Sequence, residues 1–246
     1  METINLSNFF ICLFFSNFFC CPLFYKPAHK TIKINPSTEN IVFAFDIHKV
    51  VMRPDISKMV KLAFSKLKWG ILPIFFEPIL WYYIFSEGAS PERVINKIAQ
   101  KYKNKGVTKE FLIKFLNSQI VDQSMINLIL KLKKDGYKVY AASNIWSELL
   151  DDLKKEKPIF NDLFDGIYHP TKGNPYEKPE KHYYQNLKKY LKDHGEQSKK
   201  IIFIDDRYEN VSAAIEEGLI GIRFKNSSNL VKNLNSLGFN NISLKE

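Results

Sequence analysis

The chain is poor in cysteine, and this shortage excludes two classes of protein. Its cysteines, Cys12, Cys20 and Cys21, all lie within the first 25 residues. The body of the chain therefore has neither a disulfide framework nor a cysteine-based zinc site. The sequence also lacks a basic tract interleaved with aromatic residues, so a nucleic-acid-binding protein is not expected.

Arginine is scarce as well, although the chain is basic overall. Only four of its 36 basic residues are arginine, and the formal net charge is +10. The lysines are spread over predicted helix faces rather than gathered in one tract. This pattern is typical of a solubilising surface. The alternative is that the positive field attracts anionic, phosphorylated substrates.

The amino-terminal stretch differs in composition from the rest. Phe9–Phe15 and Phe18–Tyr25 are almost wholly apolar, but residues 1–8 contain no Lys or Arg. A secretory signal usually begins with basic residues, and a spanning helix needs about 20 apolar residues. We interpret residues 1–25 as an export signal or membrane anchor, with a disordered or surface-docked tail as the alternative. Residues 1–40 then form an apolar segment and linker.

Cellular location depends on that interpretation. If residues 1–25 act as a signal or anchor, the protein is exported or associated with a membrane. If they form a tail, it is cytoplasmic. The oligomeric state has no signature in the sequence.

The stretch Ile41–Phe45 is a continuous apolar run that ends at Asp46. Such a run predicts a strand buried on both faces of a parallel sheet. Ligands of open α/β sheets bind at the carboxyl ends of the strands. Asp46 is thus a candidate metal ligand, base or nucleophile; the plainer alternative is an aspartate that caps the following loop.

Three later stretches have a similar form. The apolar run Val139–Ala142 ends at Ser143, and the run Ile201–Ile204 ends at the paired carboxylates of Asp205 and Asp206. Between them, Lys178 directly precedes a proline that opens a predicted helix. The chain therefore offers a hydroxyl group and two carboxylates at the ends of predicted strands, and an ammonium group just before a predicted helix, in addition to Asp46.

The remaining pattern predicts the architecture. From Pro54 to Ile120 the apolar residues recur at helical spacing, with no strand signal. After residue 120, strands alternate with helices, which favours parallel crossovers and a three-layer αβα sandwich. The last helix is predicted to be capped by Ser227 or Ser228. The strands predicted in this half are Tyr137–Ala142, Phe164–Tyr168, Ile201–Ile204 and Leu219–Phe224.

The ordered set of four motifs resembles the haloacid dehalogenase (HAD) superfamily of phosphohydrolases. The Ser-Asn-Ile-Trp stretch from Ser143 and the Asp-Asp-x-x-x-Asn stretch from Asp205 are most similar to the branch that includes the phosphatase domain of soluble epoxide hydrolases. The resemblance covers about residues 41–224. It implies an α/β Rossmannoid core formed by 41–53 and 121–246, with an inserted helical cap at 54–120.

The resemblance also implies a Mg²⁺-dependent phosphatase site. Asp46 is expected to attack phosphorus and form an aspartyl-phosphate, while Lys178 offsets charge and Asn210 steadies the metal loop. Mg²⁺ takes hard oxygen ligands. The expected metal ligands are Asp46, the backbone carbonyl of His48, Asp205 and Asp206. The expected phosphate-binding groups are Ile47 and His48 amides, Ser143, Asn144 and Lys178. The expected catalytic residues are Asp46, His48, Ser143 and Lys178.

Two features depart from the family pattern. The position two residues after the nucleophile, usually a second Asp that acts as acid and base, is His48. Histidine is a competent acid or base near neutral pH, or else it is a mere spacer in a slow or inactive protein. The loop that ends at Lys178 is also longer than usual, which leaves Lys181 as an alternative lysine.

The leading interpretation is a phosphatase that acts on a small phosphorylated metabolite. A 2-haloacid dehalogenase also uses an Asp ester but needs no metal, and the paired carboxylates argue against it. A degenerate protein that binds a phosphorylated ligand without turnover is the non-catalytic alternative, and His48 is the feature that supports it.

Overall fold

The computed structural model describes residues 36–55, 57–59, 61–62, 91–197, 199–239 and 242. The interpretation of residues 1–25 as a signal or anchor lies outside these ranges, as do residues 63–90 of the expected helical cap. None of the helices in the described ranges combines the length and apolarity that a membrane span requires.

A five-stranded parallel sheet forms the centre of the molecule. The strands are β1 (Ile41–Phe45), β4 (Lys138–Ala142), β5 (Gly166–Tyr168), β6 (Lys200–Asp205) and β7 (Ile220–Arg223). Their spatial order is β5-β4-β1-β6-β7, and every neighbouring pair runs parallel. β1 is therefore the central strand, and all five of its residues are buried.

Helices cover both faces of this sheet, because the side chains of a strand alternate between its faces. On one face, Phe43 and Phe45 belong to the same core as the helix before β4, the helix after β4 and the last helix. On the other face, Val42 and Ala44 pack with the two helices that flank β6. The predicted α/β sandwich is thus confirmed.

The helices with defined bounds are α1 (Pro91–Lys101), α2 (Lys109–Leu116), α3 (Gln123–Lys134), α4 (Ser147–Glu156), α5 (Lys181–Asp193), α6 (Tyr208–Glu216) and α7 (Ser227–Ser236). Residues 57–59 and 61–62 are helical as well. Short 3-10 turns occupy Lys103–Lys105 and Pro158–Asn161. α3 illustrates why these segments are helical: the Asp122 side chain accepts hydrogen bonds from the amides of Ser124 and Met125 and caps the first turn. Lysines occupy its last turn, where they favour the helix dipole.

A second, two-stranded sheet corrects the prediction that residues 54–120 carry no strand. β2 (Met52–Pro54) pairs antiparallel with β3 (Gln119–Val121). Pro54 is therefore the last residue of a strand, and Gln119 and Ile120 belong to its partner. Three-residue strands are too short to show an alternating pattern, which explains the error. α1 and α2 lie between these two strands in the sequence.

The cap of the last helix is also corrected. Asn226, rather than Ser227 or Ser228, precedes α7, and its side chain accepts a hydrogen bond from the amide of Asn229 at 2.8 Å. Asn and Ser are nearly equivalent at this position, so the sequence does not distinguish adjacent candidates.

Candidate active site

The carboxyl ends of three neighbouring strands bring the candidate residues together. Asp46 follows β1, Ser143 follows β4, and Asp205 ends β6. β4 and β6 flank β1 in parallel, so their carboxyl ends share one edge of the sheet. Carboxylate oxygens of Asp46, Asp205 and Asp206 all lie within 4.8 Å of one another.

Lys178 is the cation of this cluster. Its Nζ donates hydrogen bonds to Asp46 Oδ1 at 2.8 Å, to Asp205 Oδ2 at 2.7 Å and to the carbonyl of Ala142 at 2.9 Å. The side chain is 2% exposed. Lys181, the alternative lysine, is 67% exposed and pairs with Glu217 instead.

Asn144 fixes the loop that carries Lys178. Its side-chain amide donates to the carbonyl of Lys178 at 3.0 Å, and its Oδ1 accepts from the amide of Lys178 at 2.8 Å. The two bonds clamp the backbone of one residue from both sides. The long loop between β5 and α5 is therefore held at the sheet edge despite its length.

The carboxylate of Asp205 is almost fully engaged by the protein. Asn210 Nδ2 donates to both of its oxygens at 3.0 Å, and the amide of Arg207 donates to Oδ1 at 2.9 Å. Lys178 bonds the other oxygen, Oδ2. Asn210 is held in turn by Tyr184, whose hydroxyl donates to its carbonyl at 2.7 Å. Asp205 is thus better placed to orient its neighbours than to bind a cation directly.

Asp206 is the more accessible carboxylate. Its side chain is 22% exposed, and its Oδ2 lies 4.0 Å from the ammonium of Lys49. Lys49 has a φ of 61°, in the left-handed region that favours glycine. Burial, reinforced by the charges of Asp46 and Asp205, raises the pKa of Asp206 to about 6.

The ammonium of Lys178 and the carboxylates of Asp46 and Asp205 partly neutralise one another in the buried cluster. Burial by itself lowers the pKa of Lys178, but the carboxylates of Asp205 and Asp46 outweigh it, so the net shift is upward. Burial raises the pKa of Asp205, and the adjacent Lys178 opposes that shift. An ammonium between two carboxylates leaves one negative charge, and Asp206 adds another.

Two candidate residues each contribute a buried polar atom that has no hydrogen-bond partner among the described residues. They are Ser143 Oγ and His48 Nε2. Buried polar groups in native proteins are nearly always paired. Two such groups beside the carboxylate cluster are consistent with a ligand that supplies oxygen atoms.

The imidazole of His48 contacts a residue that the sequence did not single out. Nδ1 lies 2.8 Å from Gln119 Nε2 and 3.1 Å from Gln119 Oε1. Burial lowers the pKa of His48, although Asp46 and Gln119 oppose the shift. Gln119 lies on β3, 71 positions away in the sequence, so no local motif could have identified it.

Ile47 shapes the loop between Asp46 and β2. Its carbonyl accepts hydrogen bonds from the amides of Val51 and Met52, both at 3.0 Å. Its side chain is fully buried in the core. The loop is therefore a tight turn whose position is fixed by packing.

The residues present fit a hard divalent cation. Mg²⁺ is bound by carboxylates and other oxygen ligands and is often held by one or two carboxylates together with substrate phosphate. Asp46 and the partly exposed Asp206 supply carboxylates, and Asp205 orients the surrounding groups.

The raised pKa of Asp206 predicts a gain in stability when its charge is removed. Ionisation of Asp206 opposes folding, because the folded-state pKa of about 6 exceeds the usual 3.8. The cost is absent below about pH 4 and is complete above about pH 6. In chelator at pH 8, Asp206→Asn should increase the free energy of unfolding by on the order of 2 kcal/mol and so raise the melting temperature by several degrees. At pH 4 the substitution should change the melting temperature little.

Thermal melts between these pH values check this prediction. Mg²⁺ should raise the melting temperature of the wild-type protein and leave that of Asp206→Asn unchanged, because a ligand stabilises only the state that binds it. Asp151, an exposed aspartate on α4, provides the matched control. Equal melting curves for wild type and Asp206→Asn at pH 8 in chelator would contradict the raised pKa of Asp206.

The fold is similar to that of solved haloacid dehalogenase (HAD) family enzymes, and the resemblance inferred from the four motifs is confirmed. A HAD family enzyme of Bacteroides thetaiotaomicron superposes with a TM-score of 0.55 at 21% identity, over 76% of this chain and 94% of that one. A HAD-like hydrolase of Porphyromonas gingivalis gives a TM-score of 0.56 at 20% identity, over 81% and 98%.

The Bacteroides enzyme has also been crystallised in complex with magnesium and inorganic phosphate; this structure superposes with a TM-score of 0.54 at 21% identity, over 76% of this chain and 94% of that one.

Two curated proteins are similar in sequence. Flavin mononucleotide hydrolase 1 of Arabidopsis thaliana is 31% identical over 118 residues, which are 47% of this chain and 45% of the relative. Sesquiterpene phosphatase astK of Aspergillus oryzae is 33% identical over 106 residues, which are 43% and 52%. The chain spans about half the length of the curated relatives it matches. No protein-family model matches it.

Proposed function

We propose that the protein is a Mg²⁺-dependent phosphatase that acts on a small phosphorylated substrate through an aspartyl-phosphate. The single observation that carries this proposal is the buried cluster in which Lys178 bridges Asp46 and Asp205, with Asp206 beside them. Phosphatase relatives in sequence and a magnesium–phosphate complex of a structural neighbour support it.

Each residue has a distinct role in this proposal. A carboxylate oxygen of Asp46 attacks phosphorus, the ester P–O bond breaks, and water later cleaves the aspartyl-phosphate. Lys178 offsets the charge of Asp46 and of the phosphoryl group in a site from which water is excluded. Ser143 Oγ, buried and without a partner in the described residues, donates a hydrogen bond to a phosphoryl oxygen.

The amides of Ile47, His48 and Asn144 lie in the same loops and are further candidate donors to phosphate. Mg²⁺, held by Asp46, Asp206 and the carbonyl of His48, would supply a charge clamp and a template when bound. Asp205 and Asn210 hold the loop that presents Asp206. In the same proposal, α1, α2 and the segment between β2 and β3 form the cap that sets specificity.

The test is phosphate release from an aryl phosphate by the full chain. We expect activity in millimolar Mg²⁺ and a loss of at least about 100-fold in chelator, because two carboxylates and a phosphate dianion otherwise repel one another. Halide release from a 2-haloacid in chelator would instead support a dehalogenase.

The second candidate is a protein that binds phosphate and Mg²⁺ without turnover. The observation that favours it is His48 at the position where an acidic acid/base residue is expected. Saturable binding of Mg²⁺ and inorganic phosphate, with no release from any ester tested, would support this candidate over the phosphatase.

A further inference from the structure

The hydrogen bonds around Gln119 determine which nitrogen of His48 carries the proton. Gln119 Nε2 donates to the carbonyl of Leu116 at 2.9 Å. A carbonyl only accepts, so this bond fixes which end of the amide carries the hydrogens. The same Nε2 lies 2.8 Å from His48 Nδ1. Gln119 Oε1 also lies 3.1 Å from Nδ1, but a proton on Nδ1 would face the N–H groups of Gln119 Nε2 at 2.8 Å, a contact between two donors. Nδ1 is therefore the acceptor, and the ring proton resides on Nε2 of His48.

This tautomer limits the chemistry that His48 can perform. Its Nε2–H is a hydrogen-bond donor, and this nitrogen is buried and has no hydrogen-bond partner among the described residues. A neutral imidazole stabilises negative charge by donating a hydrogen bond. It does not give up its last ring proton, because imidazolate is far too basic to form in water. It also accepts no proton at Nε2 while the nitrogen is protonated.

We propose that Gln119 is a positioning residue that holds His48 as a neutral hydrogen-bond donor, and that the site therefore acts on phosphates whose leaving group departs without a proton from the protein. This inference rests on the proposed phosphatase function and refines the acid–base role expected for His48. The substrate class is aryl or enol phosphates and phosphoric anhydrides, rather than phosphates of simple alcohols.

The step balances without a general acid. A bond forms between a carboxylate oxygen of Asp46 and phosphorus, and the bond between phosphorus and the leaving oxygen breaks. That oxygen departs with the electron pair, stabilised by the N–H of His48, and takes its proton from solvent water. The rate then depends strongly on how well the leaving oxygen carries negative charge.

The position of Gln119 links the tautomer of His48 to the segment between β2 and β3. Gln119 is the first residue of β3 and pairs with Pro54 of β2, at the junction where the segment between the two strands rejoins the core. It is 9% exposed. The hydrogen bond thus spans from the base of this segment to the loop that follows Asp46.

The first test is a series of phosphate monoesters with leaving groups of graded acidity, assayed on the full chain with Mg²⁺. In the wild-type protein kcat/KM should fall steeply from aryl to alkyl phosphates. His48→Asp, which supplies an acid, should raise the rate for alkyl phosphates relative to aryl phosphates by about 10²-fold or more. A shallow dependence in the wild type, unchanged in His48→Asp, overturns the proposal.

The second test needs no turnover. Nitrogen-15 NMR of the full chain should show His48 with a protonated Nε2 and an unprotonated Nδ1. Gln119→Ala should remove this preference, whereas Gln123→Ala should not, because Gln123 is exposed on α3 and bonds Asn127. A wild-type ring protonated on Nδ1, or on both nitrogens, overturns the assignment even if no ester is cleaved. If NMR shows the expected tautomer but the protein cleaves none of the esters, the proposed phosphatase function is refuted instead.

Discussion

Replacing Asp46 with asparagine is expected to abolish phosphate release while the protein remains folded. The carboxylate is the proposed nucleophile, and loss of a nucleophile typically lowers kcat by about 10⁴-fold or more. Lys178 keeps its 2.7 Å contact with Asp205 in this variant, so the buried ammonium is not left without a counter-ion. Steady-state kinetics with an aryl phosphate and Mg²⁺ measure the effect.

The control separates chemistry from charge and folding. Asp151→Asn makes the same chemical change at an exposed position on α4 and should keep wild-type kinetics. Circular dichroism should show both variants folded. If Asp46→Asn kept more than about a tenth of the wild-type kcat, the nucleophile would have to be another residue.

Replacing Lys178 with methionine is expected to lower both stability and activity. The change leaves the carboxylates of Asp46 and Asp205 buried without their shared cation. Breaking a buried ion pair by removing one partner costs about 3–5 kcal/mol, which for a chain of this size lowers the melting temperature by roughly 10 °C. Activity should fall by about 10²-fold or more through lost electrostatic stabilisation.

Lys181→Met is the matched control, because Lys181 is nearby in sequence but 67% exposed. Its melting temperature should stay within about 2 °C of the wild type, as for other surface substitutions. Mg²⁺ should restore part of the stability of Lys178→Met by supplying another cation. Similar melting temperatures for Lys178→Met and Lys181→Met in chelator would contradict the buried cluster.

Much of the fold follows from local sequence. The run Ile41–Phe45 has no polar residue, and only a strand covered on both faces accommodates that pattern. Alternation of such runs with helical periods then predicts the parallel sheet. What local pattern does not predict is the short β2–β3 pair, since two three-residue strands are stabilised by each other and not by a periodic face.

The grouping of the candidate residues was also predictable, because carboxyl ends of parallel strands meet at one edge of the sheet. That rule brings together Asp46, Ser143 and Asp205. It does not predict their bonding: the saturation of Asp205 by Asn210 and Arg207 depends on the turn after β6. The contact between His48 and Gln119 depends on tertiary structure alone, so the local sequence around neither residue predicts it.

Chemical trapping of the intermediate tests the central claim most directly. The full chain is mixed rapidly with Mg²⁺ and an aryl phosphate, quenched, and reduced with borohydride, which converts an aspartyl-phosphate to homoserine. Peptide mass spectrometry should find homoserine at position 46 only when substrate and Mg²⁺ are both present. Phosphate release without any modification at position 46, or modification at another aspartate, would contradict the account.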